Sequence, residues 1–131
     1  MVKIIIILAL LIFGWDFAWY VAGVKPIFPW QLKRRLNSSK KDAKLIDVRT
    51  RFEFNWFHIK GAENHPVPGL DPTRLDKMDK EKPVVVICLS GHRSPGVVHR
   101  LKKLGFKEVY NLTWGMLFWK LLGGSTVKSC R

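Results

Sequence analysis

The sequence predicts an α/β domain, three layers with a central parallel sheet flanked by helices, preceded by one transmembrane helix. Three observations carry that expectation. Of the first 24 residues, only Lys3, Gly14, Asp16 and Gly23 fall outside the apolar set. Val84, Val85, Val86 and Ile87 form a β-branched run with no polar alternation, as expected of a strand buried on both faces of a parallel sheet. From residue 43 onward, short apolar runs alternate with segments of helical spacing, which implies crossovers and helices on both sheet faces.

The chain has 131 residues, enough for one domain. Its near-zero mean hydropathy averages an apolar start with an ordinary soluble remainder, so neither a wholly soluble nor a polytopic protein fits. Two cysteines, Cys88 and Cys130, exclude a disulfide-rich scaffold and a four-cysteine zinc site.

Residues 4–24 would span roughly 31 Å as a helix, close to the hydrocarbon thickness of about 30 Å. A buried helix of a soluble domain rarely runs so long without a polar face. A cleaved signal peptide is the stronger rival, because Lys3 and the apolar run 4–13 suit one. No small-x-small site follows, however; Trp15, Trp19 and Tyr20 occupy that region. Asp16 either reaches the headgroups beside these aromatics or meets a polar group on a partner helix. Lys3 precedes the span, whereas Lys25, Lys33, Arg34, Arg35, Lys40, Lys41 and Lys44 follow it against Asp42 alone. The positive-inside rule then puts the C-terminal part in the cytoplasm, with the span in the inner (cell) membrane. The basic flank also attracts anionic lipid headgroups. It accounts for +6 of the chain's +13. The other basic residues are dispersed without a nucleic-acid-binding motif, so no nucleic acid partner is expected.

Pro26 and Pro29 end the span in a stiff connector over 25–29, and residues 30–36 read as a short basic amphipathic helix. Strands follow at 45–48, 83–88 and 109–112, with helices at 51–57, 94–104 and 113–122. Pro95 suits a first helical turn, and Gly105 stops that helix. The expected organisation is an anchor over 1–24, a basic connector over 25–42, a domain over 43–122 and a flexible tail over 123–131.

The chemistry concentrates in Cys88, Leu89, Ser90, Gly91, His92, Arg93 and Ser94. Cys88 ends the buried strand at the carboxyl edge, where open parallel sheets bind ligands. The loop after it runs into a helix N-terminus, whose amides and partial positive charge favour a thiolate, as does Arg93. A thiolate there is a covalent nucleophile; a buried cysteine acting as a small hydrophobe is the plainer reading.

Here the sequence resembles the rhodanese family of sulfurtransferases in its single-domain form, over residues 43–120. The resemblance rests on Leu45-Ile46-Asp47-Val48-Arg49, Glu53-Phe54, His58-Ile59-Lys60-Gly61-Ala62 with Asn64, the cysteine loop with Val86 and Ile87 before it, and Asn111-Leu112 with Gly115 and Trp119. It implies a rhodanese-like fold and a persulfide mechanism without a cofactor. Cys88 would take the outer sulfur of a small anionic donor such as thiosulfate and pass it to a thiol, a protein cysteine or cyanide. The amides of Leu89, Ser90, Gly91, His92 and Arg93 would hold the terminal sulfur, and Arg93 would position the donor. Cysteine phosphatases place five residues between cysteine and arginine. Four separate Cys88 from Arg93, a loop better sized for sulfur than for phosphate.

Asp47, Arg49 and Glu53 read as a polar cluster near the loop, with Asp47 and Arg49 as candidate walls of the substrate site. His58 reads as a packing residue, and His92 either tunes the loop charge or faces solvent. No His/Cys pair has metal-ligand spacing, so no metal is expected. Trp114 stands where the family usually has glycine, which leaves the pocket rim open. Cys130 falls in the expected tail, where a resolving or sulfur-accepting role is the sharper alternative. The last helix is more apolar than sheet packing requires, which leaves a surplus for a membrane or partner contact. The leading expectation is sulfur transfer through Cys88; the alternative is a membrane-tethered interaction module with little turnover.

Overall fold

The computed structural model describes residues 1–38, 43–67, 69, 71–90 and 94–128. Helix α1 (Val2–Val21) is followed by strand β1 (Lys25–Ile27), α2 (Pro29–Asn37), β2 (Lys44–Asp47), α3 (Arg51–Trp56) and β3 (Glu63–Asn64). Then come α4 (Pro72–Asp76), β4 (Val84–Ile87), α5 (Ser94–Lys103), β5 (Val109–Leu112) and α6 (Gly115–Leu121). The five strands form one sheet in the order β1-β5-β4-β2-β3, and every pairing is parallel.

The alternation of side chains along each strand supplies both sheet faces. Ile46, Val48, Val84, Val86 and Cys88 join Leu75, Val97, Val98 and Leu101 in one core cluster. Leu45, Val85 and Ile87 join Leu32, Met116 and Trp119 in the other. Helices α4 and α5 therefore cover one face, and α2 and α6 cover the opposite face. This explains the unbroken apolar run of β4, since each of its four side chains is buried.

Local signals mark where helices begin. In α3 the Thr50 hydroxyl accepts from the Glu53 amide at 3.2 Å, and the Glu53 carboxylate accepts from the Thr50 amide at 3.4 Å. In α2 Gln31 Oε1 accepts from the Phe28 amide at 2.9 Å, and Pro29 opens the first turn. Asp71 accepts from the Thr73 amide at 2.9 Å at the start of α4.

Two segments differ from expectation. Residues 25–37 carry more than a connector: β1 pairs with β5, and Ile27 and Leu32 are buried, so the sheet begins at Lys25. Pro26 is tolerated because β1 is an edge strand. The expected tail is docked as far as Val127. Val127 and His58 exchange backbone hydrogen bonds of 2.9 and 2.8 Å, and the Trp119 indole donates to Ser125 O at 3.0 Å. Gly124 permits this, because a Cβ there would lie 2.3 Å from the Trp119 ring.

Helix α1 is 20 residues of almost wholly apolar sequence with none buried, long enough to cross a membrane. At its C-terminal end Trp19 packs on the first core cluster beside Val24, and the Lys102 ammonium donates to Gly23 O.

Candidate active site

Cys88 follows directly on β4, and its side chain is buried at 0% exposure. The Val48 amide donates to Ile87 O at 2.8 Å, so β2 and β4 run side by side up to the sheet's carboxyl edge. Helix α6 fastens the start of the loop: the Met116 amide donates to Cys88 O at 2.9 Å and the Leu117 amide to Leu89 O at 3.0 Å. These are helix N-terminal amides that have no partner within the helix. The turn that delivers them passes through Trp114 at φ 61 and Gly115 at φ 62. Only glycine fits at 115, where a Cβ would stand 2.3 Å from Cys88 O and 2.6 Å from Leu89 O. Trp114 holds the same left-handed conformation with a full side chain, seated between Phe28 at 5.8 Å and Phe118 at 4.8 Å.

Ser94 and, through it, Asn111 reach the sulfur, and their residue types and spacing predict neither role. The buried Ser94 hydroxyl, at the first position of α5, lies 3.5 Å from Cys88 Sγ and donates to Asn111 Oδ1. A hydroxyl has one proton and two lone pairs. With its proton on Asn111 it can accept from a Cys88 thiol; turned to the sulfur, it donates to a thiolate. The available signals were a serine closing the loop motif and a lone asparagine in an apolar strand.

Asp47 and Arg49 come together as a pair with 0% side-chain exposure, joined at 2.8 Å between Arg49 Nη2 and Asp47 Oδ2. Arg49 Nε adds a contact of 3.0 Å to Asp47 Oδ1, and Nη2 donates to Phe57 O at 2.6 Å. Asn64 Nδ2 donates to the carbonyls of Asp47 and Arg49, each at 3.0 Å. Asp47 shares the sheet face of Ile87, opposite that of Cys88. The pair therefore braces the strand end from beneath and does not present a charged wall to solvent. His58 stacks on Phe54 at 3.8 Å, with its Nδ1 2.8 Å from Phe54 O, which is a packing role. Leu89 and Ser90 are half-buried beside Cys88; Gly91, His92 and Arg93 lie outside the described residues, as does Cys130.

Comparison with known proteins gives this arrangement a context. Residues 29–122 match the model of the rhodanese-like domain. The thiosulfate sulfurtransferase GlpE of Coxiella burnetii is 37% identical over 91 residues, which cover 70% of this chain and 79% of that protein. The crystal structure of the Alr3790 protein from Anabaena sp. superposes with a TM-score of 0.73 at 28% identity, covering 80% of this chain and 94% of that one. A rhodanese-like domain protein from Staphylococcus aureus gives a TM-score of 0.67 at 31% identity, covering 73% and 91%.

Proposed function

Since the chain belongs to the rhodanese-like family, we propose that it is a thiosulfate-class sulfurtransferase working through a persulfide on Cys88. The Cys88 thiolate attacks the outer sulfur of thiosulfate; a sulfur–sulfur bond forms, the donor's own S–S bond breaks, and sulfite leaves with the electron pair. A thiol, a protein cysteine or cyanide then takes the outer sulfur, and the pair returns to Cys88. The observation that carries this reading is the setting of Cys88: a thiol at the carboxyl end of β4 with the first hydroxyl of α5 3.5 Å away. That hydroxyl can donate to the sulfur as the persulfide forms and breaks.

The loop amides of Leu89, Ser90, Gly91, His92 and Arg93 are assigned to the terminal sulfur, and the Arg93 guanidinium to the anionic donor. Asp47 and Arg49 act as positioning residues that hold the strand edge. Helix α1 is assigned as a single-pass anchor in the cell membrane, with the domain on the cytoplasmic side; its unburied apolar surface and the basic residues after it support this.

Intact-mass measurement after incubation with thiosulfate tests the chemistry. The wild type should gain one sulfur atom, and Cys88→Ser should gain none. Equal gain in both proteins, or none in either, would overturn the assignment. A C-terminal reporter active only outside the cytoplasm tests the topology: a signal from it would reverse the orientation.

A further inference from the structure

Between α1 and the domain lies an apolar groove of about 620 Å³, a volume in the range of small-molecule sites. One wall is the span itself, through Leu10, Phe13 and Phe17; the other comes from the domain, through Asn111, Thr113 and Trp114. Asn111 bonds to Ser94, whose hydroxyl is 3.5 Å from the Cys88 sulfur, so the groove's domain wall includes a residue one contact removed from the site. Two polar side chains stand at this end. Thr113 Oγ1 is buried with no hydrogen-bond partner among the described residues, and the Asn111 amide stands beside it in the lining. Unsatisfied buried hydroxyls are uncommon where no ligand is due.

We propose that the groove admits a lipid-soluble thiol, a single apolar chain ending in –SH, as a sulfur acceptor. The proposal rests on the persulfide reading and on α1 lying in a bilayer, since an outer wall within the span opens the groove to the acyl region and not to water. The described lining holds Asp16 and no basic side chain, so an anionic head finds no partner there, which disfavours phospholipids relative to a neutral thiol. The outer sulfur of a Cys88 persulfide stands about 2 Å beyond Sγ. At the groove's inner end the acceptor thiol gives up its proton and its thiolate attacks that sulfur. The new S–S bond forms as the Cys88 S–S bond breaks, and Cys88 regains the electron pair and a proton. The chain leaves as an alkyl persulfide with no net oxidation.

Gly14 offers a test, because it lines the groove and a Cβ there meets nothing within 4 Å. Gly14→Leu should fill space without disturbing the helix. The full-length protein, in phosphatidylcholine nanodiscs and loaded with thiosulfate, is offered octanethiol, 2-mercaptoethanol or cyanide. Each chain methylene excluded from the groove costs about fourfold, so the variant should lose about tenfold or more in kcat/KM for octanethiol and keep its cyanide rate. Equal octanethiol rates in the two proteins, or no preference for octanethiol over 2-mercaptoethanol in the wild type, would overturn the proposal. Absence of sulfur on Cys88 would instead sink the persulfide reading itself. Occupancy is read separately in Cys88→Ser with a diazirine-bearing octanethiol, which should label the peptide holding Trp114, less so after Gly14→Leu. No label there, or label displaced by phosphatidylglycerol, would refute a thiol-selective groove.

Discussion

Replacing Gly115 with alanine strains the chain twice at one point. An L-residue at φ 62 pays the left-handed cost of about 1–2 kcal/mol. The new Cβ would also sit 2.3 Å from Cys88 O and 2.6 Å from Leu89 O, where ordinary contact begins at 3.4 Å. Either the loop or the start of α6 must move by about 1 Å. That movement breaks the hydrogen bonds of 2.9 and 3.0 Å from the Met116 and Leu117 amides, each contributing about 1 kcal/mol net. The expected loss of stability is about 3–4 kcal/mol, read as a lower urea midpoint at unchanged slope. Turnover from thiosulfate to cyanide should fall about 100-fold, since a misplacement near 1 Å at a reacting group costs that much. Gly124→Ala is the control: its Cβ would meet the Trp119 ring at 2.3 Å, straining the tail docking and not the cysteine loop. It should lose stability and keep turnover. Wild-type turnover in folded Gly115→Ala, or an equal activity loss in Gly124→Ala, would refute the claim that α6 holds the loop in register.

Ser94→Ala removes the hydroxyl 3.5 Å from Cys88 Sγ; persulfide formation should slow by about tenfold, followed by stopped-flow with thiosulfate while the urea midpoint reports folding. Arg49→Ala leaves Asp47 as a buried, unpaired carboxylate and should cost about 3–5 kcal/mol, whereas the double change Asp47→Asn with Arg49→Met should cost less in the same urea titration. Glu63 lies 2.9 Å from Lys44 and 3.3 Å from His65, and its carboxyl is held below the ordinary 4.5 chiefly by the Lys44 hydrogen bond. A depressed carboxyl contributes stability above its unfolded pKa and loses it as pH falls through the folded value. Glu63→Gln should therefore be weaker by up to about 1 kcal/mol at neutral pH, a gap that closes in acid and narrows with salt in thermal melts.

Sequence patterns reached the fold wherever apolar periodicity or a cap defined an element. The four buried residues of β4, the spacing of Val97, Val98, Leu101 and Leu104, and the Pro95 and Gly105 that bound that helix are each written within a few neighbouring positions. The edge strands escaped for a physical reason. Glu63 and Asn64 are both polar, and β1 carries a proline, so neither strand offers an apolar run. Val127 is placed by a bridge to His58, about seventy positions away, which no local pattern encodes. At the site, Cys88 and Gly115 were visible as motif residues. The Ser94–Asn111 contact joins a helix start to a strand across 17 positions, and only the α5 crossover brings them together. The burial of Asp47 and Arg49 likewise followed from the Phe57 and Asn64 contacts, not from their own spacing.

Only residues 22–24 separate α1 from β1. A flexible tether of n residues lets a domain wander by about 5–6 Å times the square root of n; here the helix passes almost directly into a sheet strand, and Lys102 clasps Gly23 O. With α1 in a bilayer, the reactive sulfur would ride at one fixed height, free to drift laterally and spin about the membrane normal but not to reach outward. Encounters would then be those of a surface confined to two dimensions, and a protein acceptor would have to present its cysteine at that height.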